Sequence, residues 1–304
     1  MPVNQEQRTG ATDPTLVAKL EAYRQQRGWP WAEVARKMGI ADSGLSSWRH
    51  GTYSTPETMN RRVEKFLAEI TQIGQGPVDT QGLLMIHEVC RECQENKGFG
   101  VIIGLPGVGK TEALNKYYVE NDGVVLVRCD VTTTLFYLLQ AILGEEGGGA
   151  TTAVMMQQAK KRLKGKLLIL DEADALNRRA LEGMRTLLDT KQLGLLLAGA
   201  PQLQRTLTRG PNASESMAQL YSRVDYFITV GNPTEPDLAE YLDRLNIHDT
   251  AARRAITKVG HTQSFRAASK LAAQAQRVAR LNKAGEVTAD HVRAASGIIL
   301  LKAS

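Results

Sequence analysis

The chain has 304 residues, 42% of them hydrophobic and 23% charged, with a formal net charge of +6. That length suggests about two domains with an ordinary core. No apolar run approaches the roughly 18 residues that span a bilayer, Met1–Arg8 lacks the apolar stretch of a signal peptide, and three cysteines make no disulfide framework. The expectation is a cytoplasmic protein without a membrane segment.

The positive charge lies at the ends. Basic residues number ten against eight acidic ones over 1–78, seventeen against seventeen over 79–231, and eleven against seven over 232–304. Basic ends are compatible with nucleic-acid contact, and equally with solvated helix faces.

Three helical patterns open the chain. Leu16, Val17, Leu20 and Tyr23 share one face of a helix over 14–26. Two shorter helical stretches follow, Trp31–Ile40 and Ala41–Gly51, with small Ala35 where the helices cross, Gly39 ending the first, Ile40 and Leu45 anchoring the second, and Gly51 stopping it. This pattern resembles the repressor-type helix-turn-helix family. The resemblance implies DNA binding through the second helix, which would present Ser43, Ser46, Ser47, Arg49 and His50 to the major groove; three serines and one arginine are a thin set for reading bases. A protein-contact role is the alternative. Trp48 faces either core or nucleic acid, and aromatic burial favours core. A helix over 59–70 completes the domain, and polar Thr71–Pro77 reads as a linker.

From residue 80, short apolar strands alternate with helices, which implies a mostly parallel sheet covered on both faces. The strands are expected at 101–103, 124–128, 167–170, 195–198 and 226–230, and Gly144–Gly149 as a surface loop. His87, Cys90 and Cys93 lie in a helical stretch without a second ligand pair, so a zinc site is not expected.

Gly104-Leu105-Pro106-Gly107-Val108-Gly109-Lys110-Thr111 connects the first strand to a helix beginning near Glu112. The spacing Gly-x4-Gly-Lys-Thr in this context is a phosphate-binding loop. Its nucleotide contacts are expected from Gly104, Pro106, Gly107, Val108, Gly109, Lys110, Thr111 and Glu112, with Lys110 at the β- and γ-phosphates and the Thr111 hydroxyl on Mg²⁺. Leu167–Leu170 then delivers Asp171 and Glu172. Asp171 would hold Mg²⁺, and Glu172 would orient and deprotonate the attacking water. Asp174 reads as a cap or orienting group.

Together these residues resemble an AAA+ ATPase. The resemblance implies an α/β fold: a P-loop core with a parallel sheet and small helical lid, preceded by the all-α helix-turn-helix domain. The domains would be 1–70 (helix-turn-helix), 71–79 (linker), 80–231 (nucleotide-binding core) and 232–304 (lid). It also implies that Arg223, just before the last strand, is an arginine finger reaching the ATP of a neighbouring subunit; a surface ion pair is the alternative, and Arg205 and Arg209 are competitors. Arg266 would occupy the lid position that senses the γ-phosphate in cis. Ala200 departs from the pattern, because relatives carry a polar side chain there and alanine cannot hydrogen-bond the attacking water. Slow hydrolysis is therefore expected, unless Gln202 substitutes.

The order of these parts resembles the phage Mu-type transposition protein B family. That resemblance implies an ATP-dependent, largely sequence-nonspecific protein that assembles with itself as a helical filament on double-stranded DNA, associated with the bacterial nucleoid. It would deliver target DNA to a transposase, which stimulates hydrolysis. Within such a family the core can itself line DNA, which makes Thr132, Thr133, Thr134, Lys160, Lys161, Arg162 and Lys164 candidate phosphate contacts, or a solvated face. An ATP-switched transcriptional regulator and a helicase loader or replication initiator are the alternatives.

Overall fold

The computed structural model describes residues 12–74, 78–144, 149–209 and 215–298, which divide between two compact units. The first holds α1 (Pro14–Arg27), α2 (Trp31–Lys37), α3 (Asp42–Arg49) and α4 (Pro56–Gly74). Asp13 caps α1 by accepting from the Thr15 amide at 2.8 Å, with Pro14 supplying a fixed φ at the first position. Gly39, at φ +65°, makes the turn between α2 and α3, a conformation that side chains rarely adopt. Ala35 is buried, as its place at the crossing requires, and Leu20, Val34, Leu45, Met59 and Val63 fill the core around it. Trp48 belongs to that core: it is fully buried, and its Nε1 donates to Asn60 Oδ1 at 2.7 Å.

The helix that closes this unit is longer than its expected end at Ile70. It continues through Thr71–Ile73 to Gly74, because the apolar spacing of Val63, Phe66, Ile70 and Ile73 runs on without a breaker until that glycine. The rest of the expected linker core, residues 75–77, lies outside the described residues, as do 145–148 of the glycine-rich loop.

The second unit runs α5 (Gln81–Asn96), β1 (Phe99–Gly104), α6 (Lys110–Glu120), β2 (Val124–Arg128), α7 (Leu135–Leu143), α8 (Thr152–Arg162), β3 (Leu167–Asp171), α9 (Arg178–Leu188), β4 (Gly194–Gly199), α10 (Pro201–Arg209), α11 (Glu215–Tyr221) and β5 (Tyr226–Val230). The strands form one parallel sheet in the order β2-β3-β4-β1-β5. Every residue of β1, β3 and β4 is buried, which is why these strands read as continuous apolar runs, whereas the edge strands β2 and β5 are partly exposed. Four helices follow as a lid, α12 (Glu235–Arg244), α13 (Thr250–Thr262), α14 (Phe265–Leu281) and α15 (Ala289–Ile298), packed around Leu238, Leu242, Ile256, Leu271 and Val292. No helix among the described residues is long and apolar enough to cross a membrane.

α5 crosses so close to the sheet that β4 must begin with glycine. A Cβ on Gly194 would stand 2.1 Å from the Cys93 carbonyl oxygen, which is backbone of α5 and cannot swing aside. Gly194→Ala should therefore destabilise this unit by about 1–3 kcal/mol, the usual cost of overpacking. Calorimetry should show its unfolding midpoint lowered, while Gly285→Ala, where a Cβ meets nothing within 4 Å, should leave the midpoint unchanged.

Candidate active site

The phosphate-binding loop leaves the carboxyl end of β1 and closes at the first turn of α6. Gly107 and Gly109 both have left-handed φ, +90° and +104°. The amides of Gly107, Val108 and Gly109 donate to no protein group among the described residues. Three unpaired donors at a helix amino terminus are what an anion requires. The loop carbonyls, by contrast, are occupied. Lys110 Nζ donates to Gly104 O at 2.6 Å and to Leu105 O at 3.2 Å, and Gly107 O accepts from the Arg266 amide at 3.0 Å. Burial lowers the Lys110 ammonium from its ordinary range, against the opposing pull of Asp171, Asp174 and Glu172.

β3 brings its carboxylates to the same place. The Thr111 hydroxyl donates to Asp171 Oδ2 at 2.7 Å, and Asp171 Oδ1 accepts from the Glu172 amide at 3.0 Å. A hydroxyl and a buried carboxylate in contact beside the loop are hard oxygen donors and fit Mg²⁺. Glu172 sits at φ +55°, a left-handed conformation that is costly without glycine. Its carboxylate pairs with Arg128 Nη2 at 2.7 Å, and that hydrogen bond raises the Arg128 guanidinium above its usual range. Asp174 orients β4 rather than a metal, since its Oδ1 accepts from the Ala200 amide at 2.8 Å.

The lid forms the opposite wall. Ser264 caps α14, and a Cβ on Gly107 would meet Ser264 Oγ and Arg266 Cβ at 3.0 Å each. Beside this junction lies a cavity of about 270 Å³, lined by Val78, Gly82, Val108, Glu112, Asn232 and Phe265 among others. Its size, at the small end for ligand pockets, suits a flat ring more than a whole nucleotide. Asp237 ties the cavity's two sides together: Oδ1 accepts from the Gln81 amide at 2.9 Å, and Oδ2 from the Thr234 amide at 2.8 Å.

Pro106 is exposed at the loop tip and the Arg266 side chain is exposed on α14. Arg223 bonds to Asp189 and to the Gln219 carbonyl rather than to the phosphate loop of its own chain. Ser43 is exposed at the start of α3, and Ser46 and Ser47 are half-buried. Arg49 stacks its guanidinium 3.5 Å from the Trp31 ring centre. The hydroxyls of Thr132 and Thr133 both donate to Asp130 Oδ1, so neither is free to donate to a phosphate in this conformation. Lys160 and Lys161 sit in the last turn of α8, where cations also favour the helix dipole, and Lys164 is exposed just beyond it. Residue types and spacing in the sequence missed Arg128, Asp237 and Ser264. Arg128 is the last residue of β2 and lies opposite Asp171, a placement that only the strand pairing reveals.

Gly107→Ala combines a disfavoured φ with a collision against the lid, and should weaken binding of a fluorescent ATP analogue about tenfold or more, the equivalent of roughly 1–2 kcal/mol of strain; circular dichroism should show the fold retained. With Glu172 as base, Arg128→Ala should raise turnover in the absence of DNA by about twofold to fivefold, the scale of an exposed ion pair. Steady-state phosphate release measures it.

The chain matches the family described as AAA domain over residues 92–207 and the one described as Helix-turn-helix over 20–67. It is 25% identical over 246 residues to the ATP-dependent target DNA activator B of Escherichia phage Mu, covering 76% of this chain and 78% of that protein. It is likewise 25% identical over 223 residues to the Mu-like prophage FluMu DNA transposition protein B of Haemophilus influenzae, covering 69% and 78%. Among solved structures, the Aeropyrum pernix ORC2 protein superposes with a TM-score of 0.54 at 18% identity, covering 72% of this chain and 67% of that one, a likeness of fold. The chain has the AAA+ P-loop fold of an ATPase and an amino-terminal helix-turn-helix, and it is similar to the target DNA activator B and transposition protein B relatives.

Proposed function

We propose that the protein is an ATP-dependent DNA-binding ATPase that assembles with further copies of itself on duplex DNA and delivers that DNA to a transposase. The observation that carries this reading is the placement of the arginines around the nucleotide site. The phosphate loop, Asp171 and Glu172 converge within one chain, whereas Arg223 is bonded elsewhere in that chain, so its action on ATP calls for a neighbouring copy. The names of the relatives, a target DNA activator and a transposition protein, agree with a role on DNA in the host cytoplasm and with a transposase as partner.

In this reading, Lys110 exchanges the carbonyls of Gly104 and Leu105 for the β- and γ-phosphates, while the amides of Gly107–Gly109 take phosphate oxygens. Thr111 and Asp171 hold Mg²⁺, which when bound offsets phosphate charge. Glu172 takes the proton of the attacking water once it is released from Arg128. Arg266 reaches the γ-phosphate from the lid, and the cavity against Phe265 receives the base.

DNA contact is supported by charge. Residues 250–285 contain eight lysines and arginines and no acidic residue, and Lys270, Arg277 and Arg280 are exposed on α14. A basic face of this kind binds phosphates without reading sequence. The helix-turn-helix, with Arg49 stacked on Trp31, is the auxiliary contact.

Random-sequence duplex titrated with and without ATP should bind cooperatively only with ATP. Affinity should fall by about 10³-fold between 50 and 200 mM salt if some six phosphates are engaged. Lys110→Ala should lose the ATP dependence and the filaments visible by electron microscopy. Tight binding to one operator sequence without ATP, or normal filaments from that variant, would overturn the reading.

A further inference from the structure

α9 and the end of α11 are joined by two side-chain rungs of equal offset. Arg185 Nη1 donates to Gln219 Oε1 at 2.8 Å, and four residues further along each segment Arg223 Nε donates to Asp189 Oδ1 at 2.9 Å. The Gln219 carbonyl accepts from Arg223 Nη1 as well. Arg223 is thus held by two acceptors on different edges of its guanidinium, through Nε and Nη1, and Nη2 bonds to no protein group among the described residues. Asp189 is an odd choice for stability. It is the carboxyl-terminal cap of α9, where the helix dipole disfavours a carboxylate. The pair is also too exposed to add much, with side-chain exposures of 37% for Arg223 and 44% for Asp189.

We infer that Asp189 is a positioning residue for the arginine finger: with the Gln219 carbonyl it holds Arg223 by Nε and Nη1, so that the Nη2 protons are presented to the ATP of the adjoining copy. This rests on the proposed role of Arg223 in trans. A long arginine side chain without such a grip must give up many rotamers at the moment of reaction. One held in advance loses less and meets the developing charge in place. The Asp189 carboxylate touches neither phosphate nor water in this scheme; it acts through Arg223 alone.

The test is DNA-stimulated turnover with ATP-dependent DNA binding as the control for folding. Asp189→Ala should bind DNA as before and lose turnover roughly twofold to fivefold, the scale of an exposed ion pair. Asp189→Asn, which keeps an acceptor for Nε, should recover part of it. Mixed assemblies then separate the finger from the rest of the fold. Asp189→Ala subunits have a sound ATP site and a loose finger, and Glu172→Gln subunits have a sound finger and no base. Their mixture should turn over faster than either variant alone. Recovery in the matching mixture of Arg223→Ala with Glu172→Gln, but none with Asp189→Ala, would overturn the positioning role and leave the finger intact. Turnover by Asp189→Ala equal to or above the unmodified protein would also overturn it, since the pair would then be idle or a restraint. No recovery with Arg223→Ala would instead remove the finger itself.

Discussion

Strands that all run the same way end on the same edge, and in this molecule that edge gathers the polar chemistry. β1 ends in the phosphate loop, β3 ends in Asp171 and Glu172, and β2 ends in Arg128 opposite Asp171. β4 lies between β1 and β3, so the hydrogen bond from Thr111 to Asp171 joins elements on either side of it. The end of β4 is correspondingly small. A Cβ on Gly199 would stand 2.6 Å from Asp174 Oδ1, and the next residue, Ala200, has its amide bonded to that same carboxylate. The strand end is fixed through its backbone, and the side chain at Ala200 contributes no hydrogen-bonding group to the site.

The loop itself divides its backbone groups by direction. Carbonyls of Gly104, Leu105 and Gly107 meet Lys110 and the lid, while the amides of Gly107, Val108 and Gly109 have no protein partner among the described residues. An orphan amide is costly unless water or a ligand satisfies it, so the arrangement selects for a polyanion. Because Gly107 also receives the amide of Arg266, the lid is tied to the loop by backbone. A change in the loop is thereby transmitted to α14 without any side chain as intermediary.

The residues legible in advance are those whose signal is local. The strands around Val101–Ile103 and Leu167–Leu170 announce themselves as apolar runs because both faces are buried. The loop spacing is readable because phosphate demands glycine at set positions. Trp48 is assignable to the core from the burial habit of its residue type. What stays hidden is pairing across sequence: Arg128 with Glu172, Asp174 with Ala200, Gln81 with Asp237, Gly107 with Arg266. Each links residues at least 26 positions apart, and no composition or periodicity encodes such a partner. Thr132 and Thr133 carry a partner that is local in sequence. Their hydroxyls invite a phosphate contact, but Asp130 beside them supplies a local acceptor, as aspartate does in turns.

The nucleotide site therefore has two mechanical grades. Thr111 and Asp171 are bonded to each other, and Lys110 to the buried Gly104 carbonyl, at the centre of the edge. Glu172 and Arg223, the groups proposed for hydrolysis, are held by ion pairs with 37–63% side-chain exposure, joined for Arg223 by the Gln219 carbonyl. Pairs that exposed are worth about 0–1 kcal/mol, and 1 kcal/mol corresponds to roughly a fivefold population shift. A neighbouring subunit or a DNA phosphate offers more than that to either arginine. The chain thus has what it needs to hold ATP on its own, whereas the position of its hydrolytic groups is open to whatever binds alongside. For a protein proposed to assemble on DNA only with ATP, that division makes the lifetime of the complex a property of the assembly rather than of the single chain.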